Sequence, residues 1–145
     1  YHAIGGFNES MRQSEDYDFW LKSSRLSEMH SLNEPVALYR IHEASAMHKL
    51  SDENHLANLI NVATLRWSTN LRKGDEITPY ELNRRLGEAH FMHGYAHYWN
   101  GEKLIARKSF TEALSSGYKR TRSLAYLILC SVTNFFKIQP LKKKK

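Results

Sequence analysis

Ser14-Glu15-Asp16-Tyr17-Asp18-Phe19-Trp20-Leu21-Lys22 is the stretch on which the reading of this 145-residue chain turns. Serine is a good N-cap, and two acids directly after it suit the positive first turn of a helix. Tyr17, Trp20, Leu21 and Ser24 recur at spacings of three and four, which predicts a helix of about three turns with one packed face. Upstream, Tyr1-His2-Ala3-Ile4 reads as the end of a strand stopped by Gly5-Gly6. Downstream, Met29 to Leu32 and Pro35 to Ile41 read as two short extended segments parted by Asn33-Glu34-Pro35. Pro35 biases Glu34 away from helical angles.

From about Asp52 the period is helical and stays so. Leu56, Leu59, Ile60, Ala63, Trp67 and Leu71 make an apolar stripe over five turns, ending near Lys73-Gly74. Thr78-Pro79 opens the next helix, with Thr78 as N-cap and Pro79 at the first helical position, and Asn100-Gly101 stops it. Further helices are predicted from about Glu102 to Ser116 and from about Thr121 to Lys137. The expected architecture is an α/β remnant over residues 1–49, an all-α extension over 50–140 and a basic tail over 141–145.

Composition fits one soluble globular domain with a modest core, at 41% hydrophobic and 25% charged residues. Four of the six net positive charges are Lys142 to Lys145, and without them 17 basic residues face 15 acidic ones. The basicity therefore belongs to the tail, which argues against a nucleic-acid-binding face across the fold. Cys130, the single cysteine, excludes an internal disulfide and lies in an apolar helical run as a buried thiol. No secretory leader pattern opens the chain, which starts without Met and reads as an internal piece of a longer one.

Ser14-Glu15-Asp16 by itself is first of all capping chemistry. Its neighbours add to it. Gly5-Gly6-Phe7-Asn8-Glu9, then Glu15-Asp16-Tyr17-Asp18-Phe19-Trp20-Leu21-Lys22, then Glu34-Pro35 and Tyr39-Arg40-Ile41-His42 with Ser45 follow in order. This series resembles the C-terminal half of the catalytic domain in family 2 (GT-A type) inverting glycosyltransferases, over about a third of the chain. The family often has a serine where Met47 stands.

The resemblance implies a nucleotide-sugar donor, a glycan or lipid-linked acceptor, and Mg²⁺ or Mn²⁺ with its main ligands upstream of Tyr1. It implies that Asp16 is the catalytic base and Glu15 its acidic neighbour, orienting the acceptor or the loop. Gly5 and Gly6 would let substrate approach the backbone. Arg40 would neutralise diphosphate, and His42 would contact diphosphate or the metal. Asp18, one step further on, reads as structural, and Trp20 reads as core before it reads as a sugar-stacking platform. With the donor half missing, these 145 residues alone are expected to be inactive.

Three further features stand apart. Gly94, Ala106, Phe110 and Ala113 sit at the small and aromatic positions of one tetratricopeptide unit, with Tyr118 at the usual proline position. A helical hairpin follows from that match, and a non-catalytic protein-interaction module is the rival reading of the whole chain. His90, His93 and His97 share a helix at spacings of three and four, which suits a metal clamp or the margin of a packed hairpin. Leu124 to Phe136 is apolar but too short to span a bilayer. With Lys137 and the lysine tail it suits peripheral contact with an anionic membrane, on the cytoplasmic side.

Overall fold

The computed structural model describes residues 1–11, 13–38, 50–69 and 76–136. Among the described residues there are five α-helices: α1 (Glu15–Leu26), α2 (His55–Trp67), α3 (Pro79–Trp99), α4 (Lys103–Ser115) and α5 (Arg120–Phe136). No strand occurs among the described residues, so the α/β remnant expected over 1–49 is overturned there: the regular elements they hold before residue 50 are one 3-10 turn and α1. Tyr1-His2-Ala3-Ile4 is no strand end. His2–Ile4 forms one 3-10 turn that Gly5 closes in left-handed backbone, φ 74°. Residues 29–38 have irregular backbone, with Val36 71% and Leu38 102% exposed. A strand needs a second strand to pair its backbone groups and cover one face. The described residues supply none, and apolar spacing alone does not make a sheet.

α3 begins as its sequence predicts. The Thr78 hydroxyl accepts from the Glu81 N–H at 3.2 Å, and the Glu81 carboxylate accepts from the Thr78 N–H at 3.3 Å, a reciprocal cap. α3 and α4 form an antiparallel hairpin across Asn100-Gly101, and α5 packs along α4. Phe91, Tyr98, Ala106, Phe110, Ala113 and Cys130 are the buried centre, with Tyr118, Tyr126 and Leu127 against it. Phe110 stacks on Tyr126 at 4.7 Å and meets Phe91 edge-on at 5.5 Å, both geometries that add to simple burial. Burial pushes the Cys130 thiol above its ordinary pKa, so it is an inert packing group.

Two helical glycines let the hairpin close. A Cβ on Gly94 would meet the Ser109 Cβ at 3.1 Å and the Ala106 carbonyl at 3.2 Å. At Gly87 the obstacle is worse, with the Tyr118 Cβ at 2.4 Å. The predicted close approach at Gly94, Ala106 and Phe110 is thus where α3 and α4 meet.

α2 is shorter than its apolar stripe suggests. It starts at His55 because the Asn54 side chain accepts from the Ala57 N–H at 3.1 Å, an N-cap that ends helical geometry there. Ala57 and Leu59 carry its burial, while Leu56, counted in the predicted stripe, is 52% exposed. α2 links α1 to the hairpin.

Candidate functional site

The glycine turn and the start of α1 form one unit. Gly5 and Gly6 both have positive φ, 74° and 67°, which side chains with a Cβ rarely adopt. Room for a ligand differs between them. At Gly6 a Cβ would lie 2.7 Å from the Tyr1 hydroxyl, so Tyr1 takes that space, whereas nothing lies within 4 Å at Gly5. Phe7 stacks on Phe19 of α1 at 4.7 Å, and the Lys22 ammonium reaches the Gly6 carbonyl at 3.5 Å. The turn is therefore fastened to the helix by rings and by one cation.

The packed face of α1 is not the one its spacing predicts. Tyr17 is 54% exposed and Trp20 46%, so Trp20 is not core. The two rings pack edge-on at 5.2 Å on the outer side. Asp18, Phe19 and Lys22 face inward instead, because Phe7 covers Phe19 and cations from two helices converge on Asp18. Ser14 is the N-cap residue, but at φ 64° its side chain makes no capping bond.

The three acids of the first turn have separate fates. Asp18 is buried, with the Lys22 ammonium 2.7 Å from Oδ2 and the Arg66 guanidinium 3.1 Å from Oδ1. It is a structural carboxylate, as expected. Asp16 is half-buried, and its Oδ1 accepts from the adjacent Tyr17 N–H at 2.8 Å. Glu15 is also half-buried. Among the described residues no basic side chain pairs with either. Asp16 and Trp20 lie four residues apart and so share one face of the helix. The positive end of α1 favours a carboxylate there. Chemically, this edge offers a fixed proton acceptor beside exposed aromatic rings.

Arg40 and His42 lie outside the described residues. Among those described, no three His, Cys, Asp or Glu side chains converge as metal ligands. Glu15 and Asp16 belong to no such cluster among the described residues.

The histidines of α3 do something else. His93 Nε2 and His97 Nε2 both reach the Ser51 carbonyl, at 3.0 and 2.9 Å. His93 Nδ1 meets the Ser109 hydroxyl at 2.8 Å, and His97 Nδ1 meets the Glu102 carboxylate at 2.5 Å. His90 adds a contact to Asn54, the α2 cap, at 3.3 Å. His97 is 1% exposed, which places it inside the joint and not at the hairpin margin. Burial lowers the pKa of His90 and of His93, and for His93 the Ser51 carbonyl opposes that shift. The trio is a clamp that seats the segment before α2 on α3.

Arg66, Ser51 and Gly87 escaped the sequence reading. Only Gly87 left a signal, a glycine inside a helical run with no turn residue beside it.

Comparison with known proteins gives two relatives. The chain is 25% identical over 138 residues, 95% of its length, to an uncharacterized glycosyltransferase of Rickettsia conorii. It is 30% identical over 82 residues, 57% of its length, to an uncharacterized glycosyltransferase of Rickettsia felis. It spans 19% of the first relative and 12% of the second. No protein-family model matches the chain, and no solved structure matches it. The chain is thus a helical segment distantly similar to part of two much longer proteins named as glycosyltransferases.

Proposed function

We propose that this chain is part of an inverting glycosyltransferase and that Asp16 is its general base. The carrying observation is the contrast between two carboxylates two residues apart on α1. Asp18 is consumed by Lys22 and Arg66, whereas Asp16 has no cationic partner among the described residues and stands beside Tyr17 and Trp20. The similarity to two proteins named glycosyltransferase supports the reaction class.

In the proposed step a carboxylate oxygen of Asp16 takes the proton from an acceptor hydroxyl. The hydroxyl oxygen forms its bond to the anomeric carbon as the nucleoside diphosphate leaves with the electron pair of the broken bond. Glu15 orients the acceptor, and the exposed face of Trp20 offers an apolar surface to a sugar ring. Arg40 and His42 take the diphosphate in this reading, and the Mg²⁺ or Mn²⁺ ligands belong to parts of the longer relatives that this chain does not match. The α3–α4 hairpin is read as one tetratricopeptide-like unit that supports the site.

The test is Asp16→Asn in the complete protein, assayed for sugar transfer. The amide keeps the size and the bond to the Tyr17 N–H but cannot take the proton. Transfer should fall by about 10²- to 10⁴-fold with helix content unchanged. Unchanged transfer overturns the assignment.

A further inference from the structure

α5 is packed on one side only. Ser123 and Cys130 are buried against the hairpin, while Leu124, Ala125, Ile128, Leu129 and Val132 are exposed. At 3.6 residues per turn these five fill a continuous arc of about 140°, in which Thr121 of the first turn is the polar residue near the centre. Leu124 is 51% exposed, Ile128 55% and Val132 45%, so the row at i, i+4 and i+8 stands in solvent along two turns. Its edge opens into a shallow groove of about 320 Å³ between α4 and α5, lined by Arg107, Thr111, Leu127, Ile128, Ser131 and Val132.

The charge around this arc is of one sign. Glu112 is the last acidic residue of the chain. Residues 113–145 carry Lys119, Arg120, Arg122, Lys137 and Lys142 to Lys145 with no Asp or Glu, whereas residues 1–112 hold 13 basic and 15 acidic residues. The formal positive charge is thus segregated onto the stretch that bears the apolar arc. Arg120 and Arg122 fall at its two margins on the helical wheel. Both sit in the first turn of α5, which has no acid, so they add to the positive end of the helix dipole where anions are favoured.

We propose that α5 lies flat on an anionic lipid surface, with Leu124, Ile128, Leu129 and Val132 entering the headgroup boundary. Arg107, Arg120 and Arg122 face lipid phosphates, and the lysines that follow in the sequence add positive charge. The length and composition agree with this mode and not with spanning, since no helix among the described residues is long and apolar enough to cross a membrane. An apolar arc flanked by cations fits a bilayer interface, where long basic side chains lay their stems on the apolar zone and reach outward. Nucleic acid would answer the charges but leave the arc in water. The proposal does not depend on the assignment of Asp16.

The 145-residue chain is tested by co-sedimentation with phosphatidylcholine vesicles, either pure or with about 30% phosphatidylglycerol, the anionic lipid supplying the field. Binding is expected only to the anionic vesicles. Ile128→Glu with Val132→Glu should weaken it more than tenfold, and Ile128→Leu with Val132→Leu should retain it. Arg120→Gln and Arg122→Gln should each cost about fivefold. The substituted side chains are exposed, so unchanged helix content by circular dichroism is the control. Equal binding by the Glu pair overturns the proposal, leaving only charge attraction by the lysines. Absence of vesicle binding with a dimer that the Glu pair dissolves also overturns it, as does vesicle binding that single-stranded RNA matches in affinity and that the Glu pair leaves unchanged.

Discussion

Arg66 reaches Asp18 across 48 residues of sequence, its guanidinium Nη1 3.1 Å from the carboxylate Oδ1. This contact fixes α1 to α2. It also decides which acid of the first turn is spent on structure. Arg25 and Arg66 both lie near the Trp67 ring, at 5.5 and 5.3 Å, so the same joint carries cation–π contacts. Asp18→Ala leaves two cations facing an apolar gap. The Arg66 side chain is 37% exposed and can rehydrate, which holds the loss below that of a fully buried pair. We expect a loss of about 2 to 3 kcal/mol in urea unfolding. A cost under about 0.5 kcal/mol, the range of ordinary surface changes, would show that the pair does not hold the joint.

Asp16→Asn should behave in the opposite way. Among the described residues Asp16 makes only the local bond to the Tyr17 N–H, so its loss removes a favourable charge from a helix start, worth about 0.3 to 1 kcal/mol. Sugar transfer by the complete protein should nevertheless fall far more than with Glu15→Gln. Comparing urea midpoints and transfer rates for Asp16→Asn and Asp18→Asn separates the roles. A larger midpoint shift for Asp16→Asn would reverse them.

What could be read from the sequence follows the range of the forces involved. The start of α3 was legible because Thr78, Pro79 and Glu81 settle it within one turn. The burial of Cys130 followed from the apolar run around it. The start of α2 was not legible, because the segment before it is held by His93 and His97, more than 40 residues away. On α1 the inner face was expected to carry Tyr17, Trp20, Leu21 and Ser24. Phe7 and Arg66 choose the face with Asp18 and Phe19 instead, and that choice turns Trp20 outward. The expected strands failed for a similar reason, since a strand is defined by a partner and not by its own residues. At the candidate site, the acids were visible as a pair in the sequence, but the difference between Asp16 and Asp18 comes wholly from Lys22 and Arg66.

Gly87 and Gly94 predict different penalties for one added methyl group. At Gly94 the nearest atoms, the Ala106 carbonyl among them, stand 3.1 to 3.2 Å from where the methyl carbon would lie and need give only by a few tenths of an ångström. At Gly87 the Tyr118 Cβ stands at 2.4 Å and cannot move without α5 and its preceding turn. Alanine gains about 1 kcal/mol over glycine in a helix interior, which offsets part of either strain. Gly94→Ala should lie within about 1 kcal/mol of the parent, and Gly87→Ala should lose about 1 to 3 kcal/mol from overpacking. Thermal melts of the two variants check the order, and equal melting temperatures contradict it.

The histidine clamp makes the α2–α3 joint sensitive to acid. His90 and His93 are held below the ordinary histidine pKa of 6.5, in both cases chiefly by burial. His97 touches His93 at 3.2 Å between ring nitrogens and is paired with Glu102, while Glu112 opposes the shift of His90. From the α2 side, His55 and Glu53 face each other at 4.0 Å beside Ser51. A lowered pKa in the folded chain means that the unfolded chain binds the proton more readily. The clamp's contribution is therefore complete above pH 6.5 and is lost as the pH falls below it toward the folded-state values. Glu102 is also lowered, chiefly by its bond to Asn100 and then by His97, and it adds a separate loss below the ordinary carboxyl value of 4.5. Melting temperature should be level from about pH 8 to 7 and should decline from about pH 6.5 toward 5. His93→Gln keeps a donor for the Ser51 carbonyl without a titrating ring, so it should melt lower at about pH 7.5 yet show a flatter decline. A parent melting curve that holds or rises on acidification through this window, or a His93→Gln slope as steep as the parent's, rules out His93 as the group that senses the proton.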